Sequence, residues 1–157
     1  MELSETDKTN YFYNSYIKAD GLWFLKPEQD FSFNQCSQTD QQLLPKFQAR
    51  FLKSRLKKDK GIDALCQCLE TKLDLDNFHY KILRKAHCLK VNIFRCPWHH
   101  IMITSGREHL SAALGPLMCD AQYGIWASEF GKVLEFGLDN TICRGSHMCV
   151  LEFRKVD

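Results

Sequence analysis

The chain has 157 residues, 45% of them hydrophobic and 25% charged, with 21 Lys and Arg against 19 Asp and Glu. This composition is that of a globular chain and excludes wholesale disorder, collagen and coiled coil. The net charge of +2 gives no electrostatic case for nucleic acid or an anionic membrane as a partner.

In chain order, Ser4 to Asp7 offers cap chemistry, and Tyr11, Phe12, Ser15, Tyr16 and Ala19 then recur at helical spacing. Gly21 interrupts, and Leu22, Trp23, Phe24 and Leu25 continue an apolar surface. Leu43, Leu44, Phe47, Phe51 and Leu56 predict a helix over Asp40 to Arg55, with Pro45 in its first turn. Its basic end, Lys53, Arg55, Lys57, Lys58 and Lys60, reads as a solvated terminus favoured by the helix dipole. Gly61 is expected to stop it. Ile62, Leu65, Cys66, Leu69 and Leu73 mark a further helix.

Near residue 77 the period changes to two. Phe78, Tyr80 and Ile82, then Leu89, Val91 and Ile93, predict two antiparallel strands joined by a turn over Leu83 to Cys88. Pro97 ends the second strand. Ile101 to Leu114 reads as one helix, or two split at Gly106. Gly115-Pro116 is expected to break it, with Pro116 opening a helix that carries Cys119, Tyr123, Trp126 and Phe130. Val133 to Leu138 and Cys149 to Phe153 predict two more strands around a turn of Asp139 to His147. The expectation is a single α+β domain over residues 1–157. A helical part, 1–76, precedes an antiparallel sheet with the cysteine site, 77–157, in β-β-α-α-β-β order.

Eight cysteines are the unusual feature. No stretch approaches the ~18 consecutive apolar residues of a membrane span. Met1 to Asn10 lacks the basic-then-apolar order of a secretion signal. A cytoplasmic chain is therefore expected, where thiols are reduced, metal-bound or catalytic. At this length a core forms without disulfides in any case. Cys66 and Cys68 lie two apart on a helix and point about 200° from each other, which does not suit chelation. Cys66 reads as a small core residue, and Cys36 and Cys88, without partners at ligand spacing, as packing thiols. Cys96, Cys119, Cys143 and Cys149 each fall where predicted elements meet. The Cys143 and Cys149 pair flanks a glycine-containing turn that can bring both sulfurs to one ion. Cys119, in the first turn of its expected helix, would be stabilised as a thiolate. His99, His100 and His147 are the alternative ligands.

The runs Arg95-Cys96-Pro97-Trp98-His99-His100, Ser105 to Leu110, Ile125 to Phe130 and Cys143 to Cys149 carry a resemblance. With Tyr11 to Tyr16, Asp20 to Phe24 and Pro45 to Arg50, they resemble a prokaryotic cysteine-containing family without an assigned function, seen mainly in anaerobic bacteria and methanogenic archaea. That family is similar to the L-2-amino-thiazoline-4-carboxylic acid hydrolase group, which has a comparable Cys-Pro and late-cysteine pattern. More distantly, Cys119, Cys143 and Cys149 resemble the vinyl-reductase-type small-molecule-binding domain in order and rough spacing. In phenol sensors with that domain these positions bind zinc with a glutamate. Here Asn140 stands three residues before Cys143, so Cys96 is taken as the fourth ligand. Four thiolates suit zinc or a [4Fe–4S] cluster.

Two classes of function follow. One is a metal-binding, small-molecule-binding or sensor-type domain, with Trp98, Tyr123, Trp126 and Phe130 as pocket walls. A homodimer or a partner protein would complete such a sensor. The other, implied by the hydrolase resemblance, attacks a C–N or C–S bond of a small amino-acid-like substrate. There Cys96 or Cys119 would be the nucleophile and His99 or His100 the base, oriented by Asp120 or Glu129. Arg107 and Glu108 are further polar groups nearby. An iron–sulfur redox protein is a third expectation.

Overall fold

The structure, a computed structural model, describes residues 4–6, 9–11, 13 and 33–156, with side chains in the long helix from residue 43 onward. The expected helix through Tyr16 and Ala19, the stretch Leu22 to Leu25 and the Cys36 side chain lie outside the described residues. The chain divides into two units after Asp40. The second, Gln41–Asp157, carries the sheet and the cysteines discussed below.

Helix α1 spans Phe33–Arg55, so Pro45 sits in its interior and not in its first turn. Proline at that position leaves the Gln41 carbonyl without its helical donor. The helix continues because its packing does: Pro45, Ala49 and Leu52 are buried. The stop is not Gly61. Lys57 takes a left-handed conformation (φ 50°). The Lys58 N–H then bonds to the Lys53 carbonyl at 2.9 Å and the Lys57 N–H to Ser54 at 3.2 Å, a Schellman closure. Gly61 (φ 99°) instead caps the start of α2, Ile62–Leu75, and its N–H donates to the Phe130 carbonyl at 2.7 Å. Asn77 (φ 57°) ends α2 by the same closure that Lys57 makes.

Strand β1, His79–Lys85, and β2, Cys88–Arg95, pair through a two-residue turn at Ala86 and His87. The turn is tighter than the expected Leu83 to Cys88 span because ladder pairing persists to Lys85 opposite Cys88. Pro97 opens α3, Pro97–Thr104, at the position where its missing N–H costs nothing. A turn at Ser105 and Gly106 separates it from α4, Glu108–Phe130. Helix α4 runs through Gly115 and Pro116 without a break, against expectation. Pro116 removes one hydrogen bond, to the Ala112 carbonyl. Burial of Ser111, Leu114, Gly115, Pro116, Tyr123, Trp126, Ala127 and Phe130 holds the helix together across it.

Strand β3, Leu134–Asp139, and β4, Cys149–Lys155, complete an antiparallel sheet of order β1-β2-β4-β3. The fold is α+β. Ile82, Val91, Leu151 and Leu138 align across all four strands. This row, with Leu89, Ile93, Cys149 and Phe153, packs into one core with Leu65, Leu69, Leu73, Tyr123, Trp126 and Phe130 of α2 and α4. The alternating strands turn Lys90, Asn92, Glu152 and Arg154 to the other face, the usual arrangement of an antiparallel sheet with one covered side. Among the described residues no helix is long and apolar enough to cross a membrane.

Leu151 is fully buried between Val91 and Leu138 in the middle of the sheet. Leu151→Ala is expected to cost about 2–5 kcal/mol, measurable as a lowered urea midpoint at unchanged slope.

Candidate metal centre

The four cysteines singled out by position come from four separate pieces of chain. Cys96 is the N-cap of α3, just past the end of β2. Cys119 lies in the middle of α4, because that helix does not restart at Pro116. Cys143 sits in a 3-10 turn, Ile142–Arg144, closed by bonds to the Thr141 and Ile142 carbonyls and ended by Gly145 in the left-handed region (φ 87°). Cys149 is the first residue of β4, and its sulfur accepts the Ile142 N–H at 3.2 Å. That bond ties the two ends of the Cys143–Cys149 loop together.

The four thiols act electrostatically on one another. Burial, and after it the charges of ionised Cys143 and Cys149, push the Cys96 thiol up to about 12. Cys119 is raised well above its ordinary value by burial, then by the charges of Cys96, Cys149 and Cys143. Burial raises Cys143 and Cys149 as well, and Cys143 adds to the rise at Cys149. Every pair among the four therefore lies within electrostatic reach. All are free thiols. Among the described residues, however, no three His, Cys, Asp or Glu side chains stand close enough to hold one metal ion.

Donors face three of the sulfurs. The N–H groups of His99 and Trp98 act on Cys96 and lower its pKa, although they fall short of a full capping bond. The Ser111 hydroxyl lowers that of Cys143, and the Ile142 N–H that of Cys149. At Cys119 the lowering charge is Lys72. This lysine is 5% exposed, bonds to Asp76 Oδ2 at 2.5 Å and lies over the rings of Phe78 and Tyr123 at 5.8 and 6.0 Å. A buried cation of this kind is rare unless paired. Neither Lys72 nor Ser111 was legible as a neighbour of these cysteines. The i,i+4 spacing of Lys72 and Asp76 was the available signal for the first.

Helix α4 and the Cys143 turn meet at Gly115. A Cβ there would lie 2.6 Å from Cys143 Sγ and 3.4 Å from Trp98 Cζ3. Only glycine admits this approach.

The other candidates are dispersed. His99 is buried, and its Nδ1 is 2.7 Å from Ser111 Oγ. Burial holds its pKa below the ordinary histidine value. His100, His147 and Asp120 are exposed. Glu129 is engaged in a bidentate pair with Arg50, at 2.8 and 3.0 Å, and stays ionised through that bond. Arg107 caps α4 and Glu108 begins it on the exposed side. The Cys-His-carboxylate arrangements expected from sequence are thus not assembled. Asn140 is exposed in a left-handed turn (φ 53°). Of the four expected pocket walls, Tyr123, Trp126 and Phe130 are core residues, and Trp98 packs against Gly115. The indole N–H groups of Trp98 and Trp126 are buried with no hydrogen-bond acceptor among the described residues. An open cleft of about 530 Å³ lies elsewhere, lined by Leu56, Lys58, Glu70, Asp74 and Tyr80 among others.

Two alanine substitutions in α4 separate helix propensity from the Cys143 contact. Gly124 has nothing within 4 Å of an added Cβ, so Gly124→Ala is expected to stabilise by up to ~1 kcal/mol. Gly115→Ala is expected to destabilise by about 1–3 kcal/mol through overpacking. Urea unfolding of both variants checks the sign of each change. No family model, no curated protein and no solved structure matches this chain.

Proposed function

We propose that this is a metal-binding domain in which Cys96, Cys119, Cys143 and Cys149 take up one thiophilic ion, with zinc as the first candidate. The observation that supports this reading is the mutual reach of four unpaired sulfurs drawn from four chain segments. Burial and mutual repulsion oppose their ionisation, and a dication reverses both effects. Four thiolates around zinc form a closed, structural site. Uptake has to draw the sulfurs inward, since no three ligating side chains among the described residues stand close enough to hold one ion, and proton release accompanies it. The donors at Cys96, Cys143 and Cys149 suit thiolates, since hydrogen bonding to the charged form favours it.

The ion would tie the end of β2, the middle of α4 and the Cys143–Cys149 loop into one unit. On this reading the domain is a small-molecule-binding or sensor type of the cytoplasm. The ligand-binding part rests on the resemblance to the vinyl-reductase-type domain, since three of the four aromatic candidates are packed as core. Catalysis through Cys96 or Cys119 is less well supported. A nucleophilic cysteine needs a depressed pKa, and both thiols are raised.

Metal analysis of anaerobically purified protein tests the assignment. The expected result is stoichiometric zinc in wild type and sharply reduced zinc in each single Cys→Ser variant at the four positions. A brown protein with iron and sulfide would assign the [4Fe–4S] cluster instead. Full metal retention in all four variants would refute the site. Cys66→Ser and Cys68→Ser are expected to keep the metal, since neither thiol acts on any of the four.

A further inference from the structure

The part of α1 that belongs to the Gln41–Asp157 unit has two unlike faces. Pro45, Ala49 and Leu52 are buried on one of them. Leu43, Phe47 and Phe51, four apart, lie on the other, with Leu44 beside them. All four are exposed, Leu43 by 62% and Phe47 by 65%. The Phe47 and Phe51 rings stack at 6.0 Å, and the Arg55 guanidinium lies 5.4 Å from the centre of the Phe51 ring. Basic residues border this apolar stripe on both sides, Lys46 and Arg50 on one and Arg55 on the other. From Lys46 to Lys60 there are seven Lys and Arg against Asp59 alone, a charge of +6, so the rest of the chain carries −4 of the net +2. The whole-chain charge, which by itself points to no anionic partner, conceals this asymmetry. Glu129 pairs with Arg50 and offsets one of the seven.

We propose that this face of α1 docks on an anionic lipid surface, with Leu43, Leu44, Phe47 and Phe51 entering the headgroup boundary and Lys46, Arg55, Lys57 and Lys60 held by the lipid phosphates. The helix would lie in the interface and not cross it. Apolar side chains on one stripe with Lys and Arg along its borders are what such binding requires, since insertion and charge attraction act together. Charge decides against a second copy of this chain as the occupant. Two such faces, packed in either orientation, set basic border against basic border. A protein partner would need an apolar groove with an acidic rim on both sides, whereas a flat anionic boundary meets a convex helix face as it stands. The proposal uses none of the residues of the metal-binding reading and is independent of it.

Co-sedimentation of the full chain with lipid vesicles tests the proposal. The expected result is binding to vesicles of equimolar phosphatidylserine and phosphatidylcholine, roughly tenfold or more tighter than to phosphatidylcholine alone and weakened by added salt. Phe47→Ser combined with Phe51→Ser should weaken binding to the anionic vesicles by about tenfold or more. The urea midpoint should not fall in that variant, because both side chains are exposed. Lys46→Gln combined with Arg55→Gln should shrink the preference for phosphatidylserine. No binding to the anionic vesicles, equal binding to both kinds, or wild-type binding by the phenylalanine variant overturns the proposal. A dimer that the phenylalanine substitutions dissociate, or capture of an acidic amphipathic peptide, in place of vesicle binding, would assign the face to a protein and overturn it as well.

Discussion

Helix α4 has to pass Gly115 and Pro116 without breaking, and the row of residues on its buried flank depends on that continuity. Only an unbroken helix places Ser111, Gly115, Cys119 and Tyr123 in one row, each a little more than a turn from the next. The row faces the Cys143 turn at one end and reaches the core at Tyr123, which packs on Phe136 and Phe153 of the sheet. Proline costs the helix one hydrogen bond, and glycine weakens its propensity. Both are tolerated because the flank they occupy is buried. The missing Cβ of Gly115 is what lets the 3-10 turn come in.

Around this row a few polar groups are buried among apolar ones. Four thiols, the Lys72 and Asp76 pair and the Tyr123 hydroxyl lie within electrostatic reach of one another. Tyr123 is raised well above the ordinary phenol value, first by burial and then by Cys119 and Cys96. Such clusters are costly when half satisfied and rigidifying when complete. The opposite face of the sheet handles charge differently. There Glu152 accepts hydrogen bonds from Arg154 at 2.6 Å and from the Cys88 thiol at 3.0 Å, which hold its carboxyl down at about 2. Its neighbours are in water, so the arrangement carries little consequence for the fold.

Much of the sheet was legible in the sequence because strand alternation is a short-range signal. Phe78 to Ile82, Leu89 to Ile93 and Cys149 to Phe153 show period two without help from tertiary structure. The three helix errors share one origin. Pro45, Gly61 and Pro116 were read by their local chemistry, as a first-turn proline, a stop and a start. Tertiary packing overrides that chemistry at both prolines, and the left-handed Lys57 pre-empts Gly61 as the stop. Dividing α4 at Pro116 also concealed the i,i+4 row, so Ser111 escaped notice as a neighbour of Cys143. Position did not separate the cysteines cleanly, since Cys149 joins Cys66 and Cys68 in the core, with Cys96 and Cys119 packed against it. Lys72 was hidden because lysine at an apolar helix position is ordinarily a solvated side chain.

The strand order has a consequence for how the chain reaches this state. Strand β4 lies between β2 and β3, although both precede it in the sequence. As the polypeptide emerges from a ribosome, each of those strands has an edge with no partner until β4 arrives. Exposed edges of this kind invite pairing with other chains. The last of these four strands in chain order is thus the one that seals the sheet. It also brings in Cys149, whose sulfur accepts the Ile142 N–H, so closure of the sheet and fastening of the Cys143–Cys149 loop are a single late event.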